Sequence, residues 1–248
     1  MTEVVKFENV CFRIRAGKNI NSTSGAVGAK VIQDEQNRKF YQILNNISFN
    51  LNEGDRLGII GHNGAGKTML LRLMSGIIAP SRGRIKVVGK TLSLMNISYG
   101  LNLNLTGREN AYIRMRLQGT SHVHAKSELE NIRQWTELGP FFDEPLSKYS
   151  AGMSTRLAFA CATVGQPDVV IMDEWIGAGD AAFQKKAKER LETYLKNASV
   201  LVFCSHSIKL MNIWANKALW ISKGEIMDFG DVTPVFENYW NNEGGGKI

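Results

Sequence analysis

The sequence predicts an α/β fold: a mixed, mainly parallel sheet, an antiparallel β portion near the N-terminus and an inserted helical subdomain. Three observations carry this. Residues Gly61–Thr68 read Gly-His-Asn-Gly-Ala-Gly-Lys-Thr, between a short apolar run and a helix-like run. Asp168–Met172 is an apolar run of strand length, bounded by Pro167 and by Asp173-Glu174. That is the pattern of a parallel strand buried on both faces. Between the two, residues 92–164 carry helix signals in a chain that otherwise alternates strand and helix.

The 248 residues are 44% hydrophobic and 21% charged, enough for a sizeable core in one domain with a subdomain. No stretch approaches the roughly 18 apolar residues of a membrane span, and Met-Thr-Glu-Val-Val-Lys does not read as a signal peptide. Cys11, Cys161 and Cys204 are far apart and read as buried small apolar residues. The net charge of +7 suits an anionic partner without choosing among nucleotide, nucleic acid and lipid headgroups.

Val4–Val10 reads as a strand and Ala16 to about Lys39 as a surface loop. Ile47, Phe49 and Leu51 alternate with polar residues, the period of a half-buried strand. Arg56–Ile60 is a buried strand, Lys67–Ile77 a helix and Ile85–Val88 a strand. Thr106 and Glu109 form a capping box for a helix to about Leu117. A second helix is expected over Ala125–Leu138 and a third from Ser150 to about Val164. Asp180 can cap a helix through Lys196, with Phe183, Ala187, Leu191 and Leu195 on one face. Val200–Cys204 is a buried strand, and Ala218–Ile221 with Glu225–Phe229 a hairpin. The tail from Asn241 is expected to fray.

The pattern G-x-x-x-x-G-K-[ST] is a phosphate-binding loop, so the expected core is that of a P-loop NTPase. Its glycines let the backbone approach a polyphosphate, with successive N–H groups turned toward its oxygens. Lys67 adds charge at the β/γ end, the Thr68 hydroxyl can ligate Mg²⁺, and the helix start contributes its dipole. A parallel α/β sheet gathers functional groups at the carboxyl ends of its strands, which puts Asp173 and Glu174 beside the phosphates. Asp173 is suited to hold Mg²⁺ through water, and Glu174 to orient or deprotonate an attacking water. Ser150, Ala151, Gly152 and Met153 form a helix start that presents N–H groups and a hydroxyl. His206 follows the last buried strand. His122 and His124 read as a solvated loop rather than a metal site, and Lys185, Lys186, Lys188 and Arg190 as the wet face of a helix.

Phosphate loop, helical insert with a Ser-x-Gly cap, apolar strand ending Asp-Glu, strand ending in His: this order resembles the ATPase subunits of ABC transporters over nearly the whole chain. The resemblance implies a single ABC ATPase domain, 1–248, with a core of 1–91 and 165–248 and a helical signature subdomain of 92–164. It makes Gly61, His62, Asn63, Gly64, Ala65, Gly66, Lys67, Thr68 and Met69 the ATP-phosphate site. Val169–Asp173 becomes the Walker B strand, with Thr68 and Asp173 at Mg²⁺. Glu174 becomes the catalytic glutamate, His206 the switch histidine and Ile176–Asp180 the D-loop, with Asp180 at the nucleotide. Tyr149–Met153 becomes the signature, whose Ser150, Ala151, Gly152 and Met153 contact ATP held by the other subunit of a head-to-tail homodimer. The adenine-stacking position falls at Ile14, with Phe12, Phe40 and Tyr41 as alternatives, and no Gln lies between Leu92 and Leu105 for the coupling role.

The signature Tyr-Ser-Ala-Gly-Met, the D-loop Ile-Gly-Ala-Gly-Asp, the Asp-Ala-Ala-Phe-Gln after it and Leu-Thr-Gly-Arg-Glu-Asn at 105–110 look like the subfamily that exports O-antigen, capsule and teichoic-acid polysaccharides. No separate carbohydrate-binding domain is expected. The implied partners are a second copy of the chain, two copies of a polytopic permease and a lipid-linked polysaccharide, at the cytoplasmic face of the inner membrane. Nucleic acid is not among them. A soluble ABC-type ATPase acting on nucleic acid or the ribosome is the alternative, but the chain shows one phosphate loop, no sustained heptads and no paired cysteines.

Overall fold

A computed structural model describes residues 2–17, 30–95, 97, 100–173, 181–205 and 207–243. They divide into two units: 1–91, 168–174 and 199–248 in the first, and 92–167 with 175–198 in the second.

The first unit holds two sheets. Strands β1 (Glu3–Arg15), β2 (Lys30–Gln33) and β3 (Lys39–Asn52) come before β4 (Arg56–Ile60), helix α1 (Lys67–Met74), β5 (Arg82–Val87) and β6 (Thr91–Ser93). The antiparallel sheet runs β2-β3-β1-β5. Its inner face buries Val5, Phe7, Ile47 and Leu51, and Phe7 stacks on Phe49 at 4.7 Å. Residues 30–39 were expected in a loop and instead form a hairpin. The Asp34 carboxylate accepts from Gln36 N (3.0 Å), Arg38 N (2.9 Å) and Arg38 Nε (2.7 Å), folding the turn so that Val31 and Ile32 pair with β3.

The second helical unit contains α2 (Gly107–Leu117), α3 (His122–Thr136) and α4 (Ala151–Ala162). The chain returns to the first unit in β7 (Val169–Asp173), leaves it for α5 (Ala181–Asn197) and ends with β8 (Val200–Cys204), α6 (Ile208–Trp214), β9 (Lys217–Ser222), β10 (Glu225–Asp231) and α7 (Val232–Asn242). The second sheet runs β10-β9-β4-β8-β7-β6. Strand β4 lies parallel between β8 and β9, and β7 pairs parallel with β8. Leu57, Ile59, Val169, Val170, Ile171, Val200, Leu201 and Val202 are fully buried, which is why these strands lack polar alternation.

Thr106 caps α2 as its sequence dictates. The hydroxyl accepts from Glu109 N (3.1 Å), while Glu109 Oε2 accepts from Thr106 N (2.8 Å). These bonds favour the charged carboxylate, so the Glu109 carboxyl titrates below its ordinary value. Replacing Thr106 with Ala removes the cap, with an expected cost of about 1 kcal/mol. A denaturant midpoint that does not move would contradict this.

Four other expectations change. Helix α3 starts three residues earlier than its apolar pattern suggests, because Ser121 accepts from His124 N (3.2 Å). His122 and His124 are therefore in its first turn, with His122 Nδ1 at 2.6 Å from the Tyr112 hydroxyl. Helix α5 belongs with the helical unit rather than the core, since Phe183 packs on Trp135 (centroids 5.6 Å) and Phe159 (6.1 Å). Lys186 and Arg190 leave the wet face with it. Lys186 Nζ donates to Trp135 O (2.8 Å) and Arg190 donates to Thr163 O (2.8 Å), while Lys185 and Lys188 are exposed. Cys161 and Cys204 are buried as expected, but Cys11 is only half-buried. Asn241 and Asn242 extend α7 instead of fraying; residues 244–248 lie outside the described residues.

Candidate nucleotide site

The site is built on the carboxyl ends of parallel strands. Ile59 of β4 and Asp173 of β7 both register with Cys204 of β8, so they stand at one level of the sheet. At the end of β4 the chain turns away at Gly61, with φ +148°. A Cβ there would stand 2.1 Å from the Ile221 carbonyl oxygen on β9, so only glycine fits. The loop closes on itself through Ala65 N to His62 O (3.2 Å) and is tied to the β9–β10 turn by Gly224 N to Ala65 O (3.0 Å).

Helix α1 opens at Gly66 with no side-chain cap. Its first N–H groups have no helical acceptor and are available to an anion. Lys67 Nζ donates to Gly61 O (2.6 Å) and His62 O (3.0 Å), which holds the ammonium group over the loop. Thr68 Oγ1 donates to Asp173 Oδ2 at 2.8 Å. This hydroxyl and carboxylate, brought together from α1 and β7, are the hard oxygen ligands that Mg²⁺ takes. His62, Asn63, Gly64 and Met69 complete the loop and first turn.

Ile14 is 43% exposed on β1 and registers with Tyr41 of β3. Tyr41 is three residues before Leu44, about 10 Å along the strand, and the Leu44 side chain packs at Gly66. The Arg13 guanidinium covers the Phe40 ring at 4.4 Å. Of the other expected residues, Glu174, Asp180 and His206 lie outside the described residues, as does all of the D-loop at 176–180.

The signature segment is in the helical unit. Ser150 caps α4, its Oγ accepting from Met153 N at 3.2 Å. The hydroxyl hydrogen stays free to donate, and the N–H groups of Ala151 and Gly152 have no helical acceptor. A Cβ at Gly152 would meet only Ser150 Oγ, at 3.9 Å, so a ligand can approach closely. The side chains of Tyr149 and Met153 pack against the core of this unit. Burial pushes the Tyr149 phenol up to about 12, with the Asp143 carboxylate adding to it, so the hydroxyl stays a donor.

Two residues that organise this segment were read only as part of Leu-Thr-Gly-Arg-Glu-Asn, with no role of their own. Asn110 is 3% exposed inside α2, and Gly107 opens the same helix against Tyr149. A polar residue on the inward face of a helix was the available signal.

Comparison with known proteins places these features in a family. The ABC transporter family model matches residues 44–177. The chain is 41% identical to the O-antigen export system ATP-binding protein RfbE of Yersinia enterocolitica, over 75% of this chain and 77% of that protein. It is 30% identical to the O-antigen export system ATP-binding protein RfbB of Klebsiella pneumoniae, over 96% of this chain and 98% of that protein. To the teichoic acids export ATP-binding protein TagH of Shouchella clausii it is 36% identical, over 83% of this chain and 56% of that protein. The chain spans about half the length of the teichoic-acid export relatives it matches. Its fold resembles that of a dimeric, post-hydrolysis ATP-binding cassette bound to ADP and Pi, with a TM-score of 0.67 at 18% identity, covering 92% of this chain and 98% of that one. The chain belongs to the ABC transporter family.

Proposed function

We propose that this chain is the ATP-hydrolysing subunit of an ABC exporter that moves a lipid-linked polysaccharide of the O-antigen, capsule or teichoic-acid type. It works from the cytoplasmic face of the membrane, as a homodimer, through two copies of a separate membrane-spanning partner. The observation that carries the ATPase reading is the 2.8 Å bond between Thr68 and Asp173, which joins the phosphate loop to the end of β7. The export names of the relatives support the cargo class over a nucleic-acid role. Among the described residues no helix is long and apolar enough to cross a membrane, which fits a division of labour with a membrane-spanning partner.

In this reading the loop N–H groups of residues 61–68 bind the ATP phosphates, and Lys67 moves from the loop carbonyls to the β/γ oxygens. Thr68 and Asp173 would hold Mg²⁺, which would supply positive charge against that developing on the phosphates. Glu174 takes the proton of the attacking water, and His206 contacts the γ-phosphate. The Ser150 hydroxyl and the start of α4 close over the γ-phosphate held by the second copy, with Asp180 at the same interface. Ile14 packs on the adenine.

The Glu174→Gln variant tests this. It keeps the shape and removes the base, so hydrolysis should fall on the order of 10²-fold, while ATP drives a stable dimer visible by size-exclusion chromatography. Hydrolysis at the wild-type rate would rule out the assignment of Glu174.

A further inference from the structure

Asn110 sits on the inward face of α2, where a buried amide needs partners. It has them. The two Nδ2 hydrogens are shared among the carbonyls of Asn102 (2.9 Å), Leu105 (3.1 Å) and Thr106 (2.9 Å), and Oδ1 accepts from Asn102 N (2.7 Å). The segment 102–106 is thereby fastened to α2.

The same segment is laddered to 144–147. Ser147 N donates to Leu103 O (2.9 Å), Leu146 N to Leu105 O (3.0 Å) and Gly107 N to Glu144 O (3.2 Å), with a bridge between Thr106 and Pro145. Tyr149 then locks the end of this ladder. Its N–H donates to Leu146 O (3.0 Å) and its hydroxyl to Phe141 O (2.7 Å). The hydroxyl fills the space left by the missing side chain of Gly107, where a Cβ would fall 2.1 Å from it. The next residue is Ser150, the cap of α4. The cap itself needs only Ser150 and the Met153 N–H, so neither the amide hub nor the tyrosine wedge is explained by capping.

We propose that Asn110 and Tyr149 are positioning residues that brace the start of α4 to the segment 102–107. The donors of Ser150–Gly152 and the segment 102–107 then move as one piece. A shift of 102–107 reaches the signature through backbone bonds as well as through the side-chain packing of the helical core. This rests on the reading that the start of α4 contacts ATP held by the second copy.

The test uses the full chain with Tyr149→Phe, which keeps the ring and loses one hydrogen bond, and Asn110→Ala. A misplaced signature weakens closure of the composite site and leaves the phosphate loop of the same chain intact. The expected result is a KM for ATP raised about fivefold or more in each variant, with kcat at saturating ATP within about twofold of wild type. Affinity of the dilute monomer for a fluorescent ATP analogue should not change. An unaltered KM in both variants overturns the proposal. Equal losses of monomer affinity and kcat, with a lower melting temperature, also overturn it, since both residues would then be purely structural. A wild-type chain without ATPase activity would instead overturn the functional reading beneath it.

Discussion

Replacing Lys67 with Met should lower kcat/KM for MgATP on the order of 10²–10³-fold while the protein stays folded. The carbonyls of Gly61 and His62 hold the ammonium group over the loop. From there its charge reaches phosphate oxygens when ATP enters. In a site partly shielded from water, one such donor aimed at developing charge is worth far more than on an open surface. The methionine retains the stem and loses two hydrogen bonds to loop carbonyls, about 1 kcal/mol each, so the melting temperature should fall by several degrees at most. ATPase kinetics beside a thermal melt decide the matter. A variant that retains a tenth of the activity would show that Lys67 is not the principal phosphate contact.

Replacing Gly61 with Ala should have the opposite profile, losing stability and nucleotide binding together. The added Cβ would stand 2.1 Å from a backbone oxygen of β9, and φ is +148°. Neither the strand nor the turn can yield without breaking parallel ladder bonds between β4 and β9. The expected cost is roughly 2–4 kcal/mol, a fall in melting temperature of about 5–15 °C for a chain of this size. If the protein melts normally and still binds ATP, the close approach at Gly61 is wrong.

The two variants separate what was legible in the sequence from what was not. Arg56–Ile60 and Val200–Cys204 have the bounds expected of them, because strands buried on both faces appear as unbroken apolar runs. The cap at Thr106 was also legible, being a local pattern with a local cause. Helix α7 was not read at all. Val-Thr-Pro-Val-Phe-Glu-Asn-Tyr-Trp-Asn-Asn holds β-branched, aromatic and Asn residues of low helix propensity. Tertiary contacts stabilise it instead, with Tyr239 edge-on to Trp220 of β9 at 5.8 Å. Helix α6 is too short for a periodic signal, and only the cap at Ser207 marks its start. Strand β2 is four residues long and became a strand only through its partner β3.

The candidate site divides in the same way. The phosphate loop and Asp173 were readable because consecutive backbone groups, or one strand end, define them. The brace of Asn110 and Tyr149 was not, because the ladder between them joins 103–107 to 144–147, which no local pattern links. The cations of α5 show the same limit. Lys185, Lys186, Lys188 and Arg190 look alike in sequence, yet Arg190 lies 4.8 Å from the Trp135 ring centre while Lys188 faces water. Burial lowers the pKa of the Arg190 guanidinium, although it remains charged at any physiological pH.

The placement of β4 has a consequence for the newly made chain. Both of its neighbours are distant in sequence: Arg56–Ile59 pair with Leu201–Cys204, and Leu57–Ile60 with Lys217–Trp220. The loop is also tied down at Ile221 and Gly224, just past the residues of β9 that pair with β4. A nascent polypeptide that has emerged as far as α5 carries the whole phosphate-binding sequence but neither of the strands that flank β4. Long-range parallel pairing of this kind forms late and slowly. The nucleotide pocket is thus assembled only after β8 and β9 have been made, and a nascent chain that has not reached them cannot consume ATP.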